Sequence, residues 1–190
     1  ASSVRVGGKF WVIGGEAPWG ITGTVESVTL SNFVSTMSSQ WTMPIPLSNT
    51  SSAAVGSKMY VIGGYQPSTG SASDSVQIFD TVTKTWSNGA PLPQPLLQAS
   101  AVSVNGKLYI FGGSTLSSIL NTTYIYDPID DSWSSGAAKP TPTAYATATV
   151  SASDTKVTVT GGFSCDFYGC EQNIAEIYDT SADTWTSIAR

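Results

Sequence analysis

Four short apolar runs, each opened by a lysine and closed by a pair of glycines, punctuate the chain. They are Lys9-Phe10-Trp11-Val12-Ile13, Lys58-Met59-Tyr60-Val61-Ile62, Lys107-Leu108-Tyr109-Ile110-Phe111 and Lys156-Val157-Thr158-Val159-Thr160. The glycine pairs that follow them, at 14–15, 63–64, 112–113 and 161–162, are spaced 49 residues apart throughout. β-Branched and aromatic residues in runs of this length, bounded by glycine, predict strands. A fixed period near 50 residues predicts a repeat architecture. Downstream of each pair a second signature returns: Ile78-Phe79-Asp80 with Trp86, Ile125-Tyr126-Asp127 with Trp133, and Ile177-Tyr178-Asp179 with Trp185. The aromatic-to-tryptophan spacing is seven residues in all three. In the first unit the aromatic letters put Phe33-Val34-Ser35 with Trp41, a degenerate copy in which Ser replaces Asp.

Each unit parses as four strands. Strand A is a Ser/Ala/Val-rich run such as 98–104, joined to strand B by a turn such as Asn105-Gly106, a sequence that favours a tight hairpin. Strand C carries the Tyr or Phe and strand D the Trp, with a turn between them led by Asp. No stretch holds a sustained apolar 3.6-residue period with caps, so the chain reads as all-β. The units fall at about 1–46, 47–93, 94–140 and 141–190 of a single domain.

Composition narrows the function classes. Charged residues are 11% of the chain, and hydroxyls take their place at the surface, with 29 Ser and 23 Thr. The net charge of −5 offers no footprint for nucleic acid. No apolar run approaches the roughly 18 residues a membrane-spanning helix needs. Histidine is absent, which excludes His-based triads and His-ligated metals, and no cofactor is expected. Cys165 and Cys170 stand five positions apart in one loop. A local disulfide is the reading; zinc would need further ligands, and a thioredoxin-type pair has two intervening residues. Asn49-Thr50-Ser51 and Asn121-Thr122-Thr123 are glycosylation acceptors. Together these features point to a secreted, extracellular protein, with any signal peptide lying outside this numbering.

The glycine pairs lack the Gly-Lys-Ser/Thr context of a phosphate loop, and Asp80, Asp127 and Asp179 recur once per unit as turn residues do. No nucleophile–base pair or carboxylate dyad stands out, so no enzyme is expected. The segments between strands B and C, at 16–27, 65–75, 114–120 and 163–175, are long and varied. Variable loops on a rigid scaffold carry binding. These segments hold the aromatics Trp19, Tyr65, Phe163, Phe167 and Tyr168, of which Trp19, Tyr65, Phe167 and Tyr168 are the candidate anchors. The segments between units are proline-rich spacers, as in 90–95 and 139–142.

An apolar strand ending in a double glycine, then an aromatic followed by Asp, then Trp at fixed spacing, resembles the kelch family over essentially all 190 residues. The resemblance implies a β-propeller with one four-stranded antiparallel blade per repeat. Kelch propellers generally have six or seven blades, so four copies imply either a small closed ring or part of a larger ring or array. The expected function is a non-catalytic extracellular recognition or scaffold module that binds protein or glycan through its long-loop face. One alternative is a structural glycoprotein that assembles with copies of itself. The other is the propeller portion of a copper-radical oxidase-like enzyme, whose His ligands this chain lacks.

Overall fold

A computed structural model describes residues 1–18, 20–29, 31, 35–38, 41–151, 155–164 and 170–188, with residues 17 and 35–38 described by backbone alone. The chain divides into two compact units, Ala1–Pro95 and Leu96–Arg190. Each holds two four-stranded antiparallel sheets, and each sheet is one repeat.

In the first unit, β1 (Ser2–Val6), β2 (Lys9–Ala17), β3 (Gly20–Thr29) and β4 (Ser35–Ser38) form blade 1 in chain order. Blade 2 begins with β5 (Ser51–Val55) and β6 (Lys58–Ile62). A two-stranded ribbon, β7 (Tyr65–Gln66) and β8 (Ser71–Ala72), intervenes before β9 (Val76–Asp80) and β10 (Thr85–Gly89) complete that blade. In the second unit, β11 (Ser100–Val104), β12 (Lys107–Phe111), β13 (Thr123–Asp127) and β14 (Ser132–Ser135) form blade 3. Blade 4 is β15 (Thr147–Val150), β16 (Lys156–Thr160), β17 (Ala175–Asp179) and β18 (Thr184–Ser187). The second strands open on the four lysines, as their residue pattern predicts. Lys58 stands opposite Asp80 and Lys156 opposite Asp179, while Lys107 Nζ lies 3.0 Å from Asp127 Oδ2.

Each unit packs its two blades around one aromatic core. Trp11, Ile13 and Val25 of blade 1 meet Met59, Val61 and Phe79 of blade 2, with Trp41 and Trp86 against them. Phe79 stands 5.7 Å from Trp11 and 5.1 Å from Trp86, centroid to centroid, in tilted pairs, a geometry aromatic quadrupoles favour over a flat sandwich. The second unit repeats this with Tyr109, Phe111, Val157, Val159 and Tyr178, and Trp185 lies alongside. The indole N–H groups tie blade to blade: Trp86 Nε1 donates to Trp41 O and Trp185 Nε1 to Ala137 O, both at 2.9 Å.

Blade 1 departs from the sequence expectation twice. The segment 16–27 is no loop, since β2 runs on to Ala17 and pairs with β3 through Gly15↔Thr22, Glu16↔Ile21 and Ala17↔Gly20, past an irregularity between Ile13 and Gly15. The register also overturns the alignment on Phe33 and Trp41. Phe10 pairs with Val28, as Met59 pairs with Phe79, and Val28 pairs with Ser35, as Phe79 pairs with Trp86. The seven-residue spacing is therefore kept by Val28 and Ser35, which lack the aromatic letters. Phe33 lies outside the described residues, and Trp41 lies beyond the last strand of its blade, 6.0 Å from Trp11.

Candidate functional site

In blades 2, 3 and 4 the residue after the glycine pair bonds back to the connector that leads into its own blade. Tyr65 N–H donates to Ser48 O (2.7 Å) and Ser48 N–H to Tyr65 O (3.1 Å). Ser114 and Leu97 exchange the same pair of bonds at 2.7 and 2.9 Å, and Phe163 and Ala144 at 2.9 Å each. Only glycine fits just before this contact. A Cβ on Gly64 would lie 2.6 Å from Ser48 O, and one on Gly162 would lie 2.6 Å from Ala144 O, at φ values of +113° and +94°.

The connector residue that follows each bridge takes the left-handed conformation: Asn49 (φ 53°), Gln98 (φ 60°) and Tyr145 (φ 57°). An aromatic residue is seldom found there. Such strain persists where the surroundings over-determine the backbone, and here Tyr145 N–H donates to Gln98 O at 2.9 Å while its neighbour Ala144 is bridged to Phe163.

In the second unit these positions assemble one surface. The Tyr145 and Phe163 rings meet nearly at right angles, 82°, with centroids 6.1 Å apart. They remain 55% and 38% exposed. Gln98 Nε2 donates to Tyr145 Oη (2.7 Å), and Ser114 Oγ donates to Gln98 Oε1 (2.8 Å), which fixes the amide between them. Three of these residues present two aromatic faces, an amide and the Tyr145 hydroxyl; Ser114 is buried behind the amide, and none of the four carries a charge. In the first unit the equivalent positions carry Asn49 and the half-buried Tyr65.

Of the anchors expected from the sequence, Tyr65 thus occupies a post-glycine position, while Trp19, Phe167 and Tyr168 lie outside the described residues. Tyr145 and Gln98 were not legible as a site because they lie in connectors, and Ser114 was not because it opens the segment 114–120, which carries no aromatic residue. A signal was present: Asn49, Gln98 and Tyr145 each stand three residues after the last proline of their connector. Asn121, one of the two glycosylation acceptors, is half-buried, and its Nδ2 donates to Lys139 O at 3.1 Å. The other, Asn49, is half-buried too. Cys165 lies outside the described residues.

The recurrent carboxylates build turns. Asp80 Oδ1 accepts Val82 N–H (2.8 Å) and Thr83 N–H (3.2 Å), Asp127 Oδ1 accepts Ile129 N–H (2.9 Å), and Asp179 Oδ1 accepts Ser181 N–H (3.0 Å). Backbone N–H donors hold the first two well below the ordinary carboxylate range, and the Ser181 hydroxyl leads for the third. Among the described residues no group of three or more acidic or cysteine side chains is placed to hold a metal ion. No described helix is long and apolar enough to cross a membrane.

Four four-stranded blades, each with its double glycine at the end of the second strand's apolar run, define a repeat scaffold. The chain matches the KLHDC2/KLHL20/DRC7 Kelch-repeats domain over residues 1–190, and it belongs to that family. No curated protein matches it. The domain is all-β with kelch propeller blades, a kind of domain that is generally a non-catalytic protein-interaction module.

Proposed function

We propose that this kelch domain is an extracellular recognition module that takes a partner on the surface built by its connectors and post-glycine residues, with Tyr145 and Phe163 as the anchor in the second unit. The observation that carries this reading is the exposed right-angle ring pair, held by a strained backbone and the Gln98 latch. A surface ordered before contact loses little conformational entropy on binding, and aromatic anchors ringed by polar groups are the usual centre of an interface. The absence of charge among the four residues favours an uncharged partner surface. The same amide, hydroxyl and ring set suits a neutral glycan, which is the second reading.

Placement outside the cell is supported by the hydroxyl-rich, low-charge composition and by Cys170, which is not a free thiol in a chain whose other cysteine is Cys165. The proposed Cys165–Cys170 bond would order the loop that follows Phe163. Of the two acceptor asparagines, Asn49 is the better candidate for a glycan, because the Asn121 amide already donates to Lys139 O.

A photo-reactive benzoylphenylalanine at position 145 of the full chain, irradiated in the medium from which the protein is isolated, tests the site. One discrete protein adduct is expected, lost with Phe163→Ala and absent when the probe sits at exposed Ile129. Equal labelling from both positions would sink the reading. Binding on a glycan array that Tyr145→Ala removes, without any protein adduct, would select the glycan.

A further inference from the structure

The Tyr145–Phe163 ring pair continues into a third segment, because Phe163 is bridged on one side to Ala144 and on the other to Glu171. The two bridges differ in kind. Phe163 and Ala144 exchange both N–H···O bonds, whereas across the other bridge the bonds run between the neighbours, from Ser164 N–H to Cys170 O (3.1 Å) and from Gln172 N–H to Gly162 O (2.8 Å). Phe163 and Glu171 are therefore a non-hydrogen-bonded antiparallel pair, the kind in which Cα atoms stand about 4.5 Å apart and side chains on one face lie closest. The Gln172 amide fixes the return segment, its Nε2 donating to Ser164 Oγ (2.7 Å) and Cys170 O (3.1 Å). Connector, post-glycine residue and return segment thus set out a row: the Tyr145 ring, the Phe163 ring and the Glu171 carboxylate.

Glu171 is exposed, and among the described residues no cation pairs with it. Elsewhere the fold supplies the cation itself. Asp127 has Lys107 Nζ at 3.0 Å, and Glu176 has Lys139 Nζ at 2.6 Å. Lys139 Nζ also lies 5.9 Å from the Trp185 ring, so one cation there meets a carboxylate and an aromatic face together. At Phe163 and Glu171 the face and the carboxylate are both present, and no described residue brings the cation.

We propose that the Phe163–Glu171 end of this surface takes an arginine side chain of the partner protein. This contact rests on the recognition surface proposed above and extends it: the partner, uncharged where it meets Tyr145 and Gln98, carries one cation at this edge. A guanidinium is planar, stacks on an aromatic face and offers a fork of N–H donors that a carboxylate accepts in pairs. It therefore meets the Phe163 ring and Glu171 at once, which the point charge of a lysine ammonium does less well. Charge complementarity at this edge also favours a protein segment over a neutral sugar.

The full isotope-labelled chain is titrated with acetyl-Gly-Ser-Arg-Ser-Gly-amide and with the same peptide carrying citrulline, a neutral urea of nearly the same shape. Saturable backbone amide shifts at Tyr145, Phe163 and Glu171 are expected from the arginine peptide. Binding should be about tenfold weaker for the citrulline peptide and for the Glu171→Gln protein, and weaker again in added salt. Glu171 is exposed, so the melting temperature of that variant should match the parent's. No shift at those amides up to about 50 mM arginine peptide overturns the inference, and so does equal binding of the citrulline peptide. The photo-adduct at position 145 separates this contact from the surface it rests on. A protein adduct lost with Glu171→Gln supports both, and one that Glu171→Gln leaves undiminished keeps the surface and overturns the arginine. Glycan binding without a protein adduct also overturns the arginine alone, while neither adduct nor glycan overturns both.

Discussion

The last residue of the C-to-D turn shows how one position is matched to another five residues before it. Lys84, Asp131 and Asp183 share the left-handed conformation, at φ 62°, 48° and 52°, and follow Phe79, Tyr126 and Tyr178. Where the strand aromatic is Tyr, its hydroxyl donates to the turn Asp: Tyr126 to Asp131, and Tyr178 Oη to Asp183 Oδ1 at 2.6 Å. Where the aromatic is Phe, no acceptor is needed, and Lys84 instead sets its ammonium 4.4 Å from the centre of the Trp11 ring, a cation–π contact. Tyr178 is fully buried, and burial pushes its phenol pKa up. Asp183→Ala should therefore cost about 1–3 kcal/mol by leaving that hydroxyl without an acceptor. Chemical denaturation checks this, and Tyr178→Phe in the Asp183→Ala background should recover much of the loss. Additivity of the two changes would mean the pair is not coupled.

At the level of elements, one position on the third strand grips the incoming connector. In blade 2 it is Gln77, fully buried, which accepts Ile45 N–H (2.8 Å) and donates to Ile45 O (3.0 Å). In blade 4 it is Glu176, which faces Val159 as Gln77 faces Val61. The acid brings its own counter-ion, because Lys139 takes the place of Leu92 and Met43 and is pushed down in pKa by burial. A buried pair of this kind is weak support for stability as a pair but costly to break singly. Lys139→Leu alone should cost about 3–5 kcal/mol, since it strands the Glu176 carboxylate. Lys139→Leu with Glu176→Gln rebuilds the blade 2 arrangement and is expected to return to within about 1 kcal/mol of the parent or above it. Thermal melts of the two variants decide, and equal losses would show that the grip does not depend on charge balance.

For the whole molecule, the pH profile of stability follows from which groups titrate. With no histidine in the chain, no imidazole changes charge between about pH 5 and 8. Asp80, Asp127, Asp179 and Asp183 all have folded pKa values below the ordinary one, the last chiefly through Ala137 N–H and then Tyr178. A lowered folded pKa gives stability that is fully present above the unfolded value near 3.8 and is lost as pH falls through the folded value. Tyr178 is raised, so its contribution is fully present below about pH 10 and is lost as pH rises through the folded value. Urea unfolding followed against pH should show a flat plateau across neutrality, falling below about pH 4 and again above about pH 10. A step near pH 6.5 would contradict this account.

Much of this was legible in the letters. The 49-residue period, the lysine-opened strands and the double glycines predicted four sheets of four strands, because strand propensity, turn chemistry and spacing are local properties that repeat with the sequence. The first repeat shows the limit of reading letters: Phe33 and Trp41 look like the signature, yet Val28 and Ser35 occupy its positions, since register is settled by cross-strand pairing and core burial rather than by residue identity. Tyr145 and Phe163 are 18 positions apart, and only the bridge between connector and post-glycine residue brings their rings together. The match of Lys139 to Glu176, 37 positions away, belongs to the tertiary structure as well. Each joins segments distant along the chain, and no local preference of either segment contains the other.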